Sequence, residues 1–240
     1  QTSYLLSIYG FLHFQYNGWF FFAIVGLLIG QIELETKKNK SILHKIYWVF
    51  SFACIPAYFL SALWLKMPTI LYFIVIIAAI AQCIAWVYLF LEIRRAQLFN
   101  RSFHSIIGKW ILTLSAISLT IKLLLQLLST LPGLSNIAFG FRPIIIGYLH
   151  LMLLGVISFF LIGFTVKTGQ LKITQSIKWG LSLFIIGVIV NQLFLMLQGL
   201  YAMQNTGMPN IATFLLGAAM LMFTGLVFLN YGIIKNGADK

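Results

Sequence analysis

The chain has 240 residues, of which 61% are hydrophobic and only 8% are charged, whereas soluble domains average about 25% charged residues. Folding in water with so few charges would leave large apolar patches exposed, and a lipid solvent removes that problem. The net charge of +12 does not indicate nucleic-acid binding, because the basic residues fall in short segments between apolar runs and form no stripe on one surface. The composition predicts an all-α integral membrane protein.

Seven segments satisfy the length requirement for crossing a bilayer, which is about 20 mostly apolar residues. In chain order, the predicted helices cover residues 4–30, 46–65, 69–91, 110–131, 143–166, 177–201 and 211–234. This pattern predicts a polytopic helix bundle that forms a single transmembrane domain over residues 1–240. The chain begins with Gln1 rather than Met, which suggests a processed or incomplete chain and is consistent with further helices upstream.

The basic residues alternate between the two ends of the predicted helices. Thirteen of them fall in the first, third and fifth loops and in the C-terminal tail, namely Lys37, Lys38, Lys40, Lys45, Arg94, Arg95, Arg101, Lys109, Lys167, Lys172, Lys178, Lys235 and Lys240. The other side has only Lys66 and Arg142. The positive-inside rule therefore predicts an external N-terminus and a cytoplasmic C-terminus. The predicted location is the cell (inner) membrane, with several passes.

Two of the four histidines lie within predicted helices. His13 is about nine residues from the outer end of the first helix and His150 about seven residues from that of the fifth, so their depths differ by one turn or less. Two imidazoles at one depth are suited to axial ligation of a haem iron. The alternative is that each makes a separate hydrogen bond between helices. His44 and His104, at cytoplasmic helix ends, are interpreted as interfacial residues.

Small residues accompany the two histidines at matching positions. Gly10 and Gly147 lie three residues before His13 and His150, and Gly18 and Gly155 lie five residues after them. A flat porphyrin needs small residues where it passes a helix, which makes the four glycines candidate haem contacts. Close packing of helices also selects small residues, and this explanation competes with the first.

Lys122 is the one charged residue in the interior of a predicted span, at about the depth of the two histidines, whereas Lys178 lies at the end of the sixth span. A buried anion explains it better than a side chain that snorkels to the interface. A haem propionate and a substrate carboxylate are both candidates. Arg142, at the outer end of the fifth helix, is a candidate partner for a second propionate or for a lipid headgroup. Further polar residues in the outer half of the bundle are Gln15, Asn17, Gln126, Asn191 and Gln192, whereas Gln82 and Asn230 lie elsewhere.

Two other features bear on the site. Asn17 is four residues from His13 and is expected on the same helix face. Cys54 and Cys83 lie within apolar runs and are interpreted as small buried hydrophobic residues. A zinc or copper site needs more ligands than two histidines, and the sequence provides no third intramembrane histidine.

The two histidine segments resemble subunit I of the haem–copper oxidases. Tyr148-Leu-His150-Leu with Gly155 resembles the late helix in which a His-x-His pair ligates the high-spin and low-spin haems. Phe11-Leu-His13 with Gly18 resembles the early helix that supplies the other low-spin ligand. The resemblance implies that His13 and His150 ligate one low-spin haem b.

Several departures separate the chain from that family. Tyr148 replaces the first histidine of the pair, the copper-binding His-His pair is missing, and only three helices lie between the two segments. The chain is also similar to the NnrS-like membrane haem proteins of nitric-oxide metabolism. The resemblance implies a distant oxidase-like relative without the oxygen-reducing centre. Enzyme activity stays undecided, and the missing copper-site histidines and high-spin haem ligand argue against it for this chain alone.

Three functions compete. The first is a b-type cytochrome in respiratory or nitric-oxide-related electron transfer, since two histidine ligands leave no open position on the iron. The second is a transporter or channel with a polar site around Lys122, although transporters often contain paired halves and the sequence shows no convincing repeat. The third is a structural or assembly subunit beside other respiratory-complex subunits.

Overall fold

A computed structural model describes residues 2–36, 40–65, 67–96, 106–134 and 140–238 of the protein. Within these residues all regular structure is helical, and seven helices are long and apolar enough to cross a membrane. They are α1 (Ser3–Leu34), α2 (Ser41–Ala62), α3 (Thr69–Arg95), α4 (Ile106–Leu128), α5 (Arg142–Lys167), α6 (Gln175–Met203) and α7 (Ile211–Lys235). The structure therefore confirms the prediction of a seven-helix, all-α, multi-pass membrane protein.

Most helices are longer than the apolar segments that predict them. Helix α2 begins at Ser41 rather than at residue 46, and α3 continues to Arg95 rather than ending at residue 91. Apolarity ends at the first charged residue, whereas backbone hydrogen bonding continues through residues whose charged ends reach the headgroup region. The predicted orientation of the termini stays a prediction. Of the charged and histidine residues used above, Lys37, Lys38, Lys66, Arg101, His104 and Lys240 lie outside the described residues.

Backbone proximity divides the chain into two compact units. Unit 1 comprises Gln1–Ser102 and Ser115–Gly140, and unit 2 comprises Phe103–Leu114 and Phe141–Lys240. Unit 1 therefore contains α1 to α3 with most of α4, and unit 2 contains the first turns of α4 with α5 to α7. The single domain expected from the sequence stays a prediction.

Two kinds of contact hold the helices of unit 1 together. One is hydrogen bonding by side chains of neighbouring helices, and the other is packing of apolar residues. Trp86 Nε1 on α3 donates to Thr120 Oγ1 on α4 at 2.9 Å, and the Tyr72 hydroxyl donates to the Thr130 carbonyl. Without water in the bilayer, such bonds satisfy polar groups that would otherwise be exposed to lipid. A core cluster joins α2 to α3 and consists of Ala57, Leu60, Val75 and Ala79.

Glycines bring α6 and α7 of unit 2 into close contact. A Cβ added at Gly225 on α7 would lie 2.6 Å from the backbone nitrogen of Phe184 on α6. A Cβ added at Gly180 on α6 would lie 2.7 Å from the backbone nitrogen of Leu229. Because these atoms are backbone, they cannot move aside as a side chain would. The pair therefore uses glycine for the close approach that favours helix association in lipid.

This contact predicts a specific loss of stability. Gly225→Ala forces α6 and α7 apart, and we expect it to lower the free energy of unfolding in detergent by about 1–3 kcal/mol, the range for overpacking. Thermal unfolding followed by circular dichroism measures the change. Gly217→Ala on the same helix is the matched control, since its added Cβ would have no atom within 4 Å. Equal losses in both variants would contradict the close-contact explanation.

The outward faces of the helices are apolar, as a lipid environment requires. On α3, Phe73 is 59% and Ile77 is 65% exposed, while Val75 between them is fully buried. In water such a face would drive aggregation, whereas lipid tails are as apolar as the side chains themselves. The lipid bilayer is therefore the partner of these surfaces.

Candidate functional site

His13 is hydrogen-bonded through both ring nitrogens in unit 1. Its Nε2 lies 2.9 Å from the carbonyl oxygen of Cys54 on α2, and its Nδ1 lies 3.3 Å from the amide nitrogen of Asn17. The predicted shared face of His13 and Asn17 is confirmed. A carbonyl oxygen can only accept, so Nε2 carries the ring proton and donates it to Cys54. Nδ1 is then free of a proton and accepts a hydrogen bond from the Asn17 amide. A π-helical segment, Phe14–Phe20, begins directly after His13.

One turn before His13, α1 and α2 approach each other at Gly10. A Cβ at Gly10 would lie 3.4 Å from Cε2 of Tyr58, whose hydroxyl donates to the Leu6 carbonyl at 3.1 Å. A Cβ at that distance makes an ordinary contact, so packing against α2 does not require glycine at position 10. At Gly18 the nearest atoms to an added Cβ belong to Phe14 of the same helix. The haem-contact hypothesis therefore stays a prediction for both glycines.

His150 presents a different hydrogen-bond pattern in unit 2. Its Nδ1 lies 2.9 Å from the carbonyl oxygen of Ile146 on the same helix. The carbonyl can only accept, so Nδ1 carries the proton and Nε2 carries the lone pair. Metal-ligating histidines commonly donate their second ring N–H to a backbone carbonyl in this way. His150 is therefore held in the tautomer that a metal ligand needs.

The glycines beside His150 parallel those beside His13. A Cβ at Gly147 would lie 3.6 Å from Cβ of Leu195 on α6, and Gln192 Nε2 donates to the Gly147 carbonyl at 3.0 Å. Gly155 is buried within a second π-helical segment, Leu151–Ser158, which begins directly after His150. At Gly147, as at Gly10, an added Cβ would make only ordinary contacts, so packing does not require glycine there.

The two histidine segments are copies of one pattern. Residues 8–26 and 145–163 align without a gap, at a constant difference of 137 residues, and seven positions are identical. The identical pairs are Ile8 and Ile145, Gly10 and Gly147, Leu12 and Leu149, His13 and His150, Gly18 and Gly155, Phe22 and Phe159, and Gly26 and Gly163. In both copies a π-helical segment starts at the residue after the histidine. Such segments are rare and often mark functional sites.

The repeat extends to the helix that packs against each copy. Gly10 faces Tyr58 and Gly147 faces Leu195, and these two partners also differ by 137 residues. The same difference relates Cys54, the partner of His13, to Asn191 on α6. In each unit, the helix that carries the histidine therefore packs against the next spanning helix, α1 against α2 and α5 against α6. The residues that face each other occupy equivalent positions in the two pairs. This repeat of helix pairs revises the sequence-based expectation that no repeat is evident.

Lys122 is buried in unit 1 and is bonded to neutral groups. Its Nζ donates to Gln126 Oε1 at 2.6 Å, and Gln126 Nε2 donates to Gln82 Oε1 on α3 at 2.6 Å. Arg95 and Glu92 form the one ion pair among the described residues. No carboxylate of the described chain therefore balances the Lys122 ammonium, and a buried charge without a partner is costly.

Lys122 and His13 belong to one polar cluster. Lys122 is close enough to His13, Cys54 and Cys83 to interact with each electrostatically. The unit 1 polar cluster consists of His13, Asn17, Cys54, Gln82, Lys122 and Gln126. Arg142, in contrast, is exposed at the first residue of α5, and its predicted pairing with a propionate or a headgroup stays a prediction.

One asparagine in each unit has a buried side-chain atom that lacks a hydrogen-bond partner. Among the described residues, three buried side-chain atoms are unpaired: Asn17 Oδ1, Asn191 Nδ2 and Thr174 Oγ1. Asn17 contacts His13 directly, and Asn191 occupies the position in unit 2 that Cys54 occupies in unit 1. Unpaired buried groups in a folded protein call for an explanation, and a ligand is one.

Sequence reasoning missed two members of the unit 1 cluster. Cys54 is buried as predicted, but its backbone carbonyl, which no sequence pattern identifies, contacts His13. Gln82 was visible in the sequence as a polar residue within an apolar run, but it was placed apart from the outer polar residues, whereas the structure bonds it to Gln126. Comparisons with protein-family models and with curated proteins find no match to this chain. The resemblance to oxidase subunit I and to NnrS-like proteins therefore stays a prediction.

Proposed function

We propose that this chain is an integral b-type haem protein of the cell (inner) membrane, with its N-terminus outside. His13 and His150 are the axial ligands of a low-spin haem. Its function is electron transfer in respiratory or nitric-oxide-related metabolism, beside other respiratory-complex subunits. The observation that carries the proposal is the repeated setting of the two histidines. Each follows a glycine by three residues, precedes a π-helical segment and is followed by a second glycine.

The two histidines fit a haem iron to different degrees. His150 fits directly, because its Nδ1 proton is held by the Ile146 carbonyl and its Nε2 lone pair is available. His13 fits after a change, because its Nε2 is engaged by the Cys54 carbonyl. Ligation through Nε2 requires the ring to leave that carbonyl, and ligation through Nδ1 requires it to leave Asn17. Asn17 and Cys54 therefore restrain His13 in the absence of a metal.

Bound haem supplies a one-electron iron couple. The residues of this chain would orient it and exclude water. In unit 2, the Ile146 carbonyl fixes the tautomer of His150 and raises the basicity of its ligating nitrogen. In unit 1, Lys122 offers a buried positive charge to a propionate. These roles suit electron transfer, since two protein ligands leave no position for a substrate on the iron.

The test is a dithionite-reduced minus air-oxidised absorption spectrum of protein purified from cells supplied with haem precursor. We expect the sharp bands of a six-coordinate low-spin haem, together with haem and iron contents of one per chain. One haem per chain indicates that both imidazoles serve the same iron, whereas two indicate that each unit binds its own. A colourless protein without iron would remove the proposal.

A second candidate function is transport of a carboxylate or another small anion. The observation that favours it is Lys122, which is 4% exposed and is bonded to a neutral glutamine. A substrate anion would balance this charge during transport. Thermal stabilisation of the haem-free protein by a panel of small carboxylates tests the idea. A midpoint that no carboxylate raises would contradict it.

A further inference from the structure

We infer that Asn191 is the second residue of the His150 site, and that its amide nitrogen donates a hydrogen bond to a carboxylate of the haem held by His150. The inference rests on the proposed haem function and adds a residue and a contact to it. It assigns a ligand-binding role in unit 2 that the histidine pattern alone does not reveal.

The register of α5 and α6 places Asn191 at the level of His150. Gly147 packs against Leu195, and Gly199 packs against Ile144, so the two helices run antiparallel with these residues side by side. One turn further along α5, His150 therefore lies at the level of Asn191 and Gln192. The repeat agrees with this register, since Asn191 is the counterpart of Cys54, whose backbone carbonyl contacts His13 in unit 1.

The Asn191 amide nitrogen is a donor without an acceptor. The side chain is 6% exposed, and no atom of the described residues accepts from Nδ2. A spanning segment offers little water to satisfy such a group, and an unpaired buried donor is destabilising. The neighbouring Gln192 is satisfied, because it donates to the Gly147 carbonyl. The missing acceptor must therefore come from outside the described chain, and a group bound at His150 is at the right level to supply it.

The chemistry of haem b restricts what that acceptor is. Its peripheral groups are methyls, vinyls and two propionates, and of these only the propionate oxygens accept strong hydrogen bonds. With two histidine ligands on the iron, no acceptor atom is present there. An amide donor to a carboxylate is a charge-assisted hydrogen bond, which is stronger than a neutral one.

The experiment titrates haem-free full-length protein in detergent with haem b and, separately, with its dimethyl ester, in which both carboxylates are blocked. We expect Asn191→Leu to weaken haem b binding about tenfold, as loss of a hydrogen bond to a charged group does. With the ester, wild type and Asn191→Leu should bind within about twofold of each other, because a neutral acceptor makes a weaker bond. Asn191→Asp should weaken haem b binding further, because its carboxylate would face a haem propionate and the two negative charges would repel each other.

Folding is monitored in parallel by the thermal unfolding midpoint of the haem-free proteins. Because Nδ2 has no partner in the ligand-free chain, Asn191→Leu should leave that midpoint unchanged or raise it. Asn230→Leu is the control, since Asn230 is exposed and donates to a carbonyl of its own helix. It should bind both haems as wild type does.

The possible failures are distinguishable. A wild-type protein that binds no haem overturns the proposed function and this inference together. A wild type that binds haem b no better than Asn191→Leu overturns the inference alone. If Asn191→Leu loses as much affinity for the ester as it loses for haem b, the acceptor is not a carboxylate. A lower midpoint of haem-free Asn191→Leu shows that Asn191 is a structural residue, and both of these results also overturn the inference.

Discussion

His150→Ala is expected to abolish haem binding, whereas His13→Ala is expected to retain haem in a high-spin form. His150 already presents a free Nε2 in the tautomer that a metal requires, because Ile146 accepts its Nδ1 proton. His13 must give up a hydrogen bond to bind the iron, so it adds less to affinity. We expect at least about a tenfold loss of haem content in His150→Ala, since such ligands dominate the binding of the iron. Absorption spectra and haem-to-protein ratios measure both effects.

The control for this pair is His44→Ala. His44 is exposed near the start of α2 and should contribute nothing to the spectrum. A second check uses His13→Gly, in which added imidazole should restore the low-spin bands by occupying the vacated position. Haem content that is unchanged in His150→Ala, or bands that are unchanged in His13→Ala, would show that the iron ligands lie elsewhere.

The helix count was predictable from the sequence because lipid imposes a simple rule. Each span must be about 20 apolar residues long, and charged or proline-containing turns separate the spans clearly, as at Pro68. The helix ends were less predictable, because α3 continues through Glu92 to Arg95 after its apolar run has stopped. Backbone hydrogen bonding determines where a helix ends, whereas hydropathy indicates only which residues lie in the hydrocarbon core of the bilayer.

The candidate site was predictable in part. The matched glycine offsets identified His13 and His150 as an equivalent pair, and the same comparison extended to Gly26 and Gly163 would have revealed the repeat. The π-helical segments could not be predicted, since they have no strong composition of their own. The tautomer of His150 also depends on a backbone carbonyl, that of Ile146, whose position only the fold defines.

The polar groups of unit 1 show a similar limit. Lys122 stood out in the sequence as a charge inside a span, and its burial is borne out by the structure. Its chain of bonds through Gln126 to Gln82 joins α4 to α3, and no spacing within one helix predicts a contact between two helices. Pattern therefore identifies which residues are unusual, and packing decides what each of them contacts.

Lys122→Glu is expected to lower the stability of the haem-free protein, whereas Lys122→Met is not. Glutamate would place a buried carboxylate against the Gln126 oxygen that now accepts from Lys122. Two acceptors would then face each other, and the new charge would have no partner. Because an unpaired charge is buried in both proteins, the difference comes from the lost hydrogen bond, and we expect Lys122→Glu to lower the free energy of unfolding by about 1–3 kcal/mol, the range for an unsatisfied buried polar group.

Methionine has a similar length and no charge, so Lys122→Met removes the cost of burying the ammonium. It also leaves the Gln126 oxygen without this donor, at a cost of about 1–3 kcal/mol. The two effects oppose each other, and the haem-free midpoint should change little or rise. Lys178→Glu is the control for charge reversal alone, because Lys178 is exposed near the start of α6.

Thermal unfolding of the three variants in one detergent distinguishes the possibilities. A midpoint for Lys122→Met as low as that for Lys122→Glu would show that the ammonium is already stabilised within the chain, and no ligand anion would be needed to balance it. A midpoint at or above that of wild type shows that Lys122 is retained at a cost to stability. Residues retained in this way serve binding rather than folding, and Lys122→Met should then bind haem or a carboxylate more weakly than wild type does.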